Sequence, residues 1–117
     1  MRQITNESVN AFYNRQNFKK ANMEVEHNNR TGLTTLYLHG NAIAHLNRDG
    51  LLFIRSAGWT SNTTKERLNG LRGVTINQKA FTWYLNGKEW TDHEEWTDLE
   101  KWNATPAPIT KDQLMYI

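Results

Sequence analysis

The chain has 117 residues, of which 38% are hydrophobic and 22% charged, with five tryptophans and no cysteine. That length holds one domain with a core, and the absence of cysteine excludes disulfides and thiolate zinc sites. The formal charge of +2 hides a division: residues 1–88 hold twelve Lys/Arg against five Asp/Glu, and residues 89–117 hold two against seven. No apolar run approaches the roughly 20 residues of a membrane span, and the N-terminus lacks the apolar region of a signal peptide. A soluble intracellular protein with no membrane association is expected.

In chain order, Thr5 reads as an N-cap, with Ile4 and Val9 as a hydrophobic staple and Val9, Phe12 and Tyr13 as the apolar stripe of a helix closing near Gln16 and Asn17. Phe18 to Glu26 is polar and ambiguous, and 27–32 is a turn or loop. Strands are expected over Leu33–Leu38, Ala42–Leu46 and Leu51–Ala57, with turns at Gly40-Asn41 and Asn47–Gly50. The apolar run 51–54 predicts burial on both faces of its strand. A short helix follows, with Thr63 and Glu66 as a capping box and Leu68 and Leu71 facing inward. Strands are expected at 74–77 and 81–85. Asn86-Gly87 is the strongest hairpin signal, returning through Lys88-Glu89-Trp90.

Beyond Trp90, Glu89-Trp90-Thr91-Asp92 repeats as Glu95-Trp96-Thr97-Asp98, and a helix is predicted over about 92–103. Trp96, Leu99 and Trp102 would share one face of it. Pro106 and Pro108 stop it, and the chain ends in an apolar tip, Leu114–Ile117. The expected fold is α+β: a small antiparallel sheet of about five strands, an N-terminal helix, one inserted helix and a short C-terminal helical extension. Residues 1–90 form the basic domain, and 91–117 form the acidic, Trp-containing extension.

Four separated blocks carry a family resemblance: Leu36 to Ala44, Ala57-Gly58-Trp59, Asn62 to Asn69, and Tyr84 to Trp90. Over about residues 33–90 the chain resembles a family of small, largely uncharacterised tailed-bacteriophage proteins. The resemblance implies a phage accessory protein expressed in the host bacterial cytoplasm. It implies no particular activity.

The sequence offers three kinds of site. The Gly58–Arg67 segment, with Trp59, Thr60, Ser61, Thr63, Thr64, Lys65 and Arg67, leads into a helix N-terminus that can hold a phosphate. Helix capping by Thr63 and anchoring by Trp59 account for the same residues. Arg48, Arg55, Lys65, Arg67, Arg72, Lys79 and Lys88 alternate with Tyr37, Trp59, Trp83 and Tyr84, the composition of a single-strand platform. On strand 81–85, Phe81, Trp83 and Leu85 face the core, leaving Tyr84 to stack. A solvated basic surface is the plainer reading. The Trp96, Leu99 and Trp102 face either packs on the body or recruits a host protein. His27, His39, His45 and His93 lack metal spacing, and no nucleophile motif is present, so no enzyme, metal or cofactor is expected.

The leading expectation is therefore nucleic-acid binding, single-stranded before duplex, with Trp59, Thr63, Thr64, Lys65, Arg67, Arg72, Tyr84 and Lys88 in contact. The alternative is a modulator of a host or defence complex acting through the Trp helix.

Overall fold

Residues 2–106 are described by the structure, a computed structural model. Helix α1 spans Gln3–Tyr13 and buries Thr5, Ser8, Val9, Ala11 and Phe12. Its N-cap is Arg2, with no side-chain cap bond. Thr5, the expected cap, lies inside the helix because its hydroxyl is needed elsewhere. Thr5 Oγ1 donates to the Glu66 carboxylate at 2.8 and 2.5 Å. The helix closes when Arg15 turns left-handed (φ 56°) and Gln16 N–H reaches back to Ala11 O at 2.9 Å.

The ambiguous segment after α1 is a hairpin, β1 (Phe18–Lys20) and β2 (Met23–His27), whose Met23 and Val25 alternate into the core. β3 (Thr34–Leu38), β4 (Asn41–Leu46) and β5 (Leu52–Ile54) follow as expected. The β3–β4 turn is His39-Gly40, one residue earlier than Gly40-Asn41, with both residues at positive φ. β5 has one core face, as Leu52 and Ile54 are buried and Phe53 points outward half-buried. It is not buried on both faces.

Helix α2 (Asn62–Asn69) is capped by Ser61, whose Oγ accepts from Thr64 N. The Thr63–Glu66 capping box does not form, because Glu66 turns inward to Thr5 and Arg67. At the end of α2 a Cβ on Gly70 would lie 2.6 Å from Thr5 Cγ2, so only glycine permits this approach of α2 to α1. β6 (Ile76–Lys79), β7 (Thr82–Leu85) and β8 (Lys88–Glu89) form a three-stranded sheet joined through the Asn86-Gly87 turn. Phe81 is not in the core: it sits in the β6–β7 turn, 95% exposed.

The tail departs from a single helix over 92–103. Residues 91–95 turn, β9 (Thr97–Asp98) pairs antiparallel with β5, and only Leu99–Ala104 is helical, as α3. Asp98 caps α3 by accepting from Glu100 N and Lys101 N, which places the helix start at Leu99, seven residues later than composition alone predicts. Trp96 therefore does not share a helix face with Leu99 and Trp102. The apolar tip at 114–117 lies outside the described residues.

The chain is α+β, but with nine strands among the described residues rather than about five. A six-stranded antiparallel sheet runs β1-β2-β3-β4-β5-β9 beside the smaller sheet. On the large sheet Val25, Leu36, Ala44 and Ile54 stand in one cross-strand row and face α1 and the core. One hydrophobic cluster joins this row to Leu68, Trp83, Leu85, Trp90 and Leu99. The change of charge at Glu89 thus does not coincide with a break in packing.

Candidate nucleic-acid interface

Because side chains alternate along a strand, the outer face of the large sheet is fixed by the inner one. Register places Thr35 opposite His45, and His45 opposite Phe53, in one outer row; Tyr37 stands opposite Glu24 and shares the outer face of β3 with Thr35. His45 stacks on Phe53 (centroids 4.6 Å apart, planes at 24°), and Trp96 meets His45 edge-on at 4.3 Å. The Arg55 guanidinium lies 4.2 Å over the Trp96 ring, while its Nε donates to Ala42 O at 2.8 Å. Tyr37, His45, Phe53, Arg55 and Trp96 are all half-buried, so each keeps a surface open to solvent. Burial, followed by the Arg55 charge, holds His45 below the ordinary imidazole range and favours its neutral form.

One end of this face is basic. Gly32 (φ 76°) lies so close to Arg48 that a Cβ would stand 2.9 Å from the Arg48 Cβ. This approach brings the two loops together, with an Arg48 nitrogen donating to Arg30 O at 3.2 Å. Arg30 and Arg48 are both exposed. An open groove of about 880 Å³ runs from Arg30 across Lys19, His27 and Tyr37. Glu24 and Glu26 also line it, and Tyr37 Oη donates to Glu26 at 3.2 Å. Burial, followed by that carboxylate, pushes the Tyr37 phenol up.

Residues 1–104 match the family described as Kyanoviridae Gp96 protein. The chain belongs to this bacteriophage family. The Kyanoviridae Gp96 match reaches past Trp90 and takes in β9 and α3, beyond the 33–90 span of the resemblance. No curated protein and no solved structure matches the chain.

In this member of the Kyanoviridae Gp96 family, the residues expected to contact nucleic acid do not form one surface. Trp59 is 56% exposed and, with Leu38, Ile43 and Thr63, borders a cleft of about 270 Å³. Thr64 is buried, its Oγ1 3.0 Å from Ser61 Oγ, so the hydroxyls at the α2 N-terminus satisfy each other. Lys65 donates to Gln78 Oε1 at 2.5 Å and sits 5.7 Å over Trp83. Arg72 is exposed but lies 4.2 Å over Tyr13, and its N–H donates to Tyr13 Oη at 2.9 Å. Tyr84 is half-buried on the small sheet, and Lys88 reaches the carbonyls of Trp102 and Thr105.

Arg67 is the clearest correction. It is 2% exposed and bonded to Thr5 Oγ1 (2.9 Å) and Glu66 Oε1 (2.6 Å), and its Nε has no partner among the described residues. A guanidinium held this way cannot reach a phosphate in solvent. Of the tail residues, Leu99 is buried in the core, while Trp96 and Trp102 are half-buried. The Trp102 indole donates to Leu85 O at 2.9 Å, and its ring lies 4.7 Å from Lys88 Nζ.

The outer-face set is only partly legible in the sequence. Tyr37, Arg48 and Arg55 stood among the basic and aromatic residues noted in the sequence. His45 and Phe53 did not, although the alternation in Ala44-His45-Leu46 and Leu52-Phe53-Ile54 carries the signal. Trp96 joins them only through β9, whose two residues leave no periodic trace.

Proposed function

We propose that this phage protein binds single-stranded nucleic acid, DNA or RNA, on the outer face of its six-stranded sheet. The observation that carries the reading is the run of open aromatic rings, Tyr37, His45, Phe53 and Trp96, beside Arg55 and below the exposed Arg30 and Arg48. Bases stack on sheet aromatics without needing sequence readout, and cations at the rim follow the backbone. Glu24 and Glu26 on β2 limit the path: the strand would run along β3, β4 and β5 toward the Arg30 and Arg48 end. Contact with a host protein through the tail has less geometry behind it. Leu99 is in the core, and Trp96 and Trp102 are each engaged by cations of their own chain.

The test is fluorescence anisotropy with labelled single-stranded oligonucleotides across a salt series. Affinity should fall linearly on a log–log plot as salt rises, and Arg30→Ala or Arg48→Ala should each reduce the slope by about one. Phe53→Ala and Tyr37→Ala should each cost about 1–3 kcal/mol, the worth of a stacked base. Absence of binding at low salt would sink the proposal.

A further inference from the structure

The chain carries two surfaces that fit each other, and the nucleic-acid reading shares with them Trp96 alone. The first is the β6–β7 turn. Lys79 pairs with Thr82, which leaves Ala80 (φ 50°) and Phe81 (φ 69°) as a two-residue loop with both residues left-handed. The other two-residue turns of this kind, His39-Gly40 and Asn86-Gly87, place glycine second, where the conformation is unstrained. Here a phenylalanine occupies that position, and it is the most exposed large hydrophobic side chain among the described residues. A strained aromatic at a hairpin tip, with Trp83 and Leu85 buried in the strand behind it, is a feature local stability alone would not retain. Lys79 is exposed two residues away, and no acidic residue occurs between Arg67 and Lys88.

The second surface is a groove of about 570 Å³ between the small sheet and the tail. Its floor is apolar, with Trp90, Trp96, Trp102 and Pro106. Its rim carries Glu89, Asp92 and Glu95, all exposed, against Lys101; Asp98 is engaged in capping α3 and Lys88 in holding its carbonyls. A protruding aromatic beside a lysine complements an apolar groove rimmed by carboxylates in both shape and charge.

From this we infer that the chain associates with a second copy of itself, Phe81 of one copy entering the Trp96/Trp102 groove of the next with Lys79 facing Asp92 and Glu95. The contact joins two different surfaces, so it either pairs reciprocally about a two-fold axis or runs head-to-tail into a ring or filament.

Sedimentation velocity of the full chain across a concentration series tests this, with circular dichroism confirming the fold of each variant. The wild type should gain mass with concentration. Phe81→Ser should weaken association at least tenfold, the worth of one buried ring, and so should the double charge reversal Asp92→Lys with Glu95→Lys. The decisive arm is the mixture. Phe81→Ser keeps the groove and the charge-reversed chain keeps the tip, so together they should form a complex of one of each that neither forms alone. A wild type that stays monomeric at every concentration overturns the inference. So does Phe81→Ser associating like wild type, a charge-reversed chain that still self-associates, or a mixture that yields no complex; a groove filled by the chain's own residues 107–117 would give the monomeric result.

Discussion

Replacing Ala80-Phe81 by Asn-Gly separates the stability of the β6–β7 hairpin from its use. A left-handed conformation costs an ordinary L-residue about 1–2 kcal/mol, and both loop residues adopt it. Asparagine tolerates it better than alanine, and glycine adopts it freely. Glycine gives back about 0.5–1 kcal/mol through its larger entropy in the unfolded chain. Removing the Phe81 ring loses almost no burial, since it is 95% exposed. The balance is a gain of about 1–2 kcal/mol. For a chain near 100 residues that is a rise in Tm of roughly 4–8 °C, measured by calorimetry at a concentration low enough to keep the chain monomeric. The same variant should lose self-association entirely. An unchanged or lower Tm would mean that Ala80 and Phe81 are not strained in the monomer, and the argument from strain to use would fall with it.

Arg67→Met should be strongly destabilising, by about 3 kcal/mol in urea denaturation, because it leaves the Glu66 carboxylate without its 2.6 Å partner at a part-buried site. Gly70→Ala should also destabilise, since the added methyl would stand 2.6 Å from Thr5 Cγ2; a neutral result would show that α1 can shift without cost. Stability should fall with pH through His45: its folded pKa lies below its unfolded value, so the unfolded chain binds the extra proton. The His45 contribution is complete above about pH 6.5 and is lost as pH falls from there toward the folded pKa. His45→Phe should flatten that part of the stability profile between pH 7 and 5. Lys88→Met should loosen α3, read as faster amide exchange over 99–104, because the Lys88 ammonium holds the Trp102 and Thr105 carbonyls at the helix end.

The legible part of the fold is the part built from local signals. The alternation in Thr34–Leu38, the Asn86-Gly87 turn and the apolar stripe of α1 are period and turn chemistry, and each is where the sequence places it. What failed depended on partners far away in sequence. Thr5 looked like a cap and is a buried hydroxyl because Glu66, 61 residues on, needs a donor. Thr63-x-x-Glu66 looked like a capping box and is not one for the same reason. Phe81 followed the strand alternation on paper, but the loop needed two residues and took it. The candidate site suffered in the same way: a list of basic residues does not distinguish a guanidinium in solvent from one closing a buried network.

That distinction changes what the charge division means. Several cations of the basic body are held by their own chain: Arg15 by the backbone oxygens of Gly32, Leu46 and Asn47, Arg67 by Thr5 and Glu66, Lys65 by Gln78, and Lys88 by the end of α3. The attachment of the acidic tail does not use its carboxylates either. Neither of the two ion pairs among the described residues, Lys20–Glu7 and Arg67–Glu66, crosses from body to tail. The tail is held by Arg55 over Trp96, Lys88 over Trp102, the Ser56–His93 bond at 2.6 Å, and the Trp90 indole donating to Thr97 Oγ1 at 3.0 Å. Cation–ring and neutral hydrogen-bond contacts are screened far less by salt than exposed charge pairs. The tail should therefore stay docked at salt concentrations that dissociate a nucleic acid from Arg30 and Arg48. Asp92 and Glu95 of the tail, with Glu89 of β8 beside them, form no ion pair among the described residues and lie exposed on a firmly attached segment, where a basic hairpin from another copy can meet them.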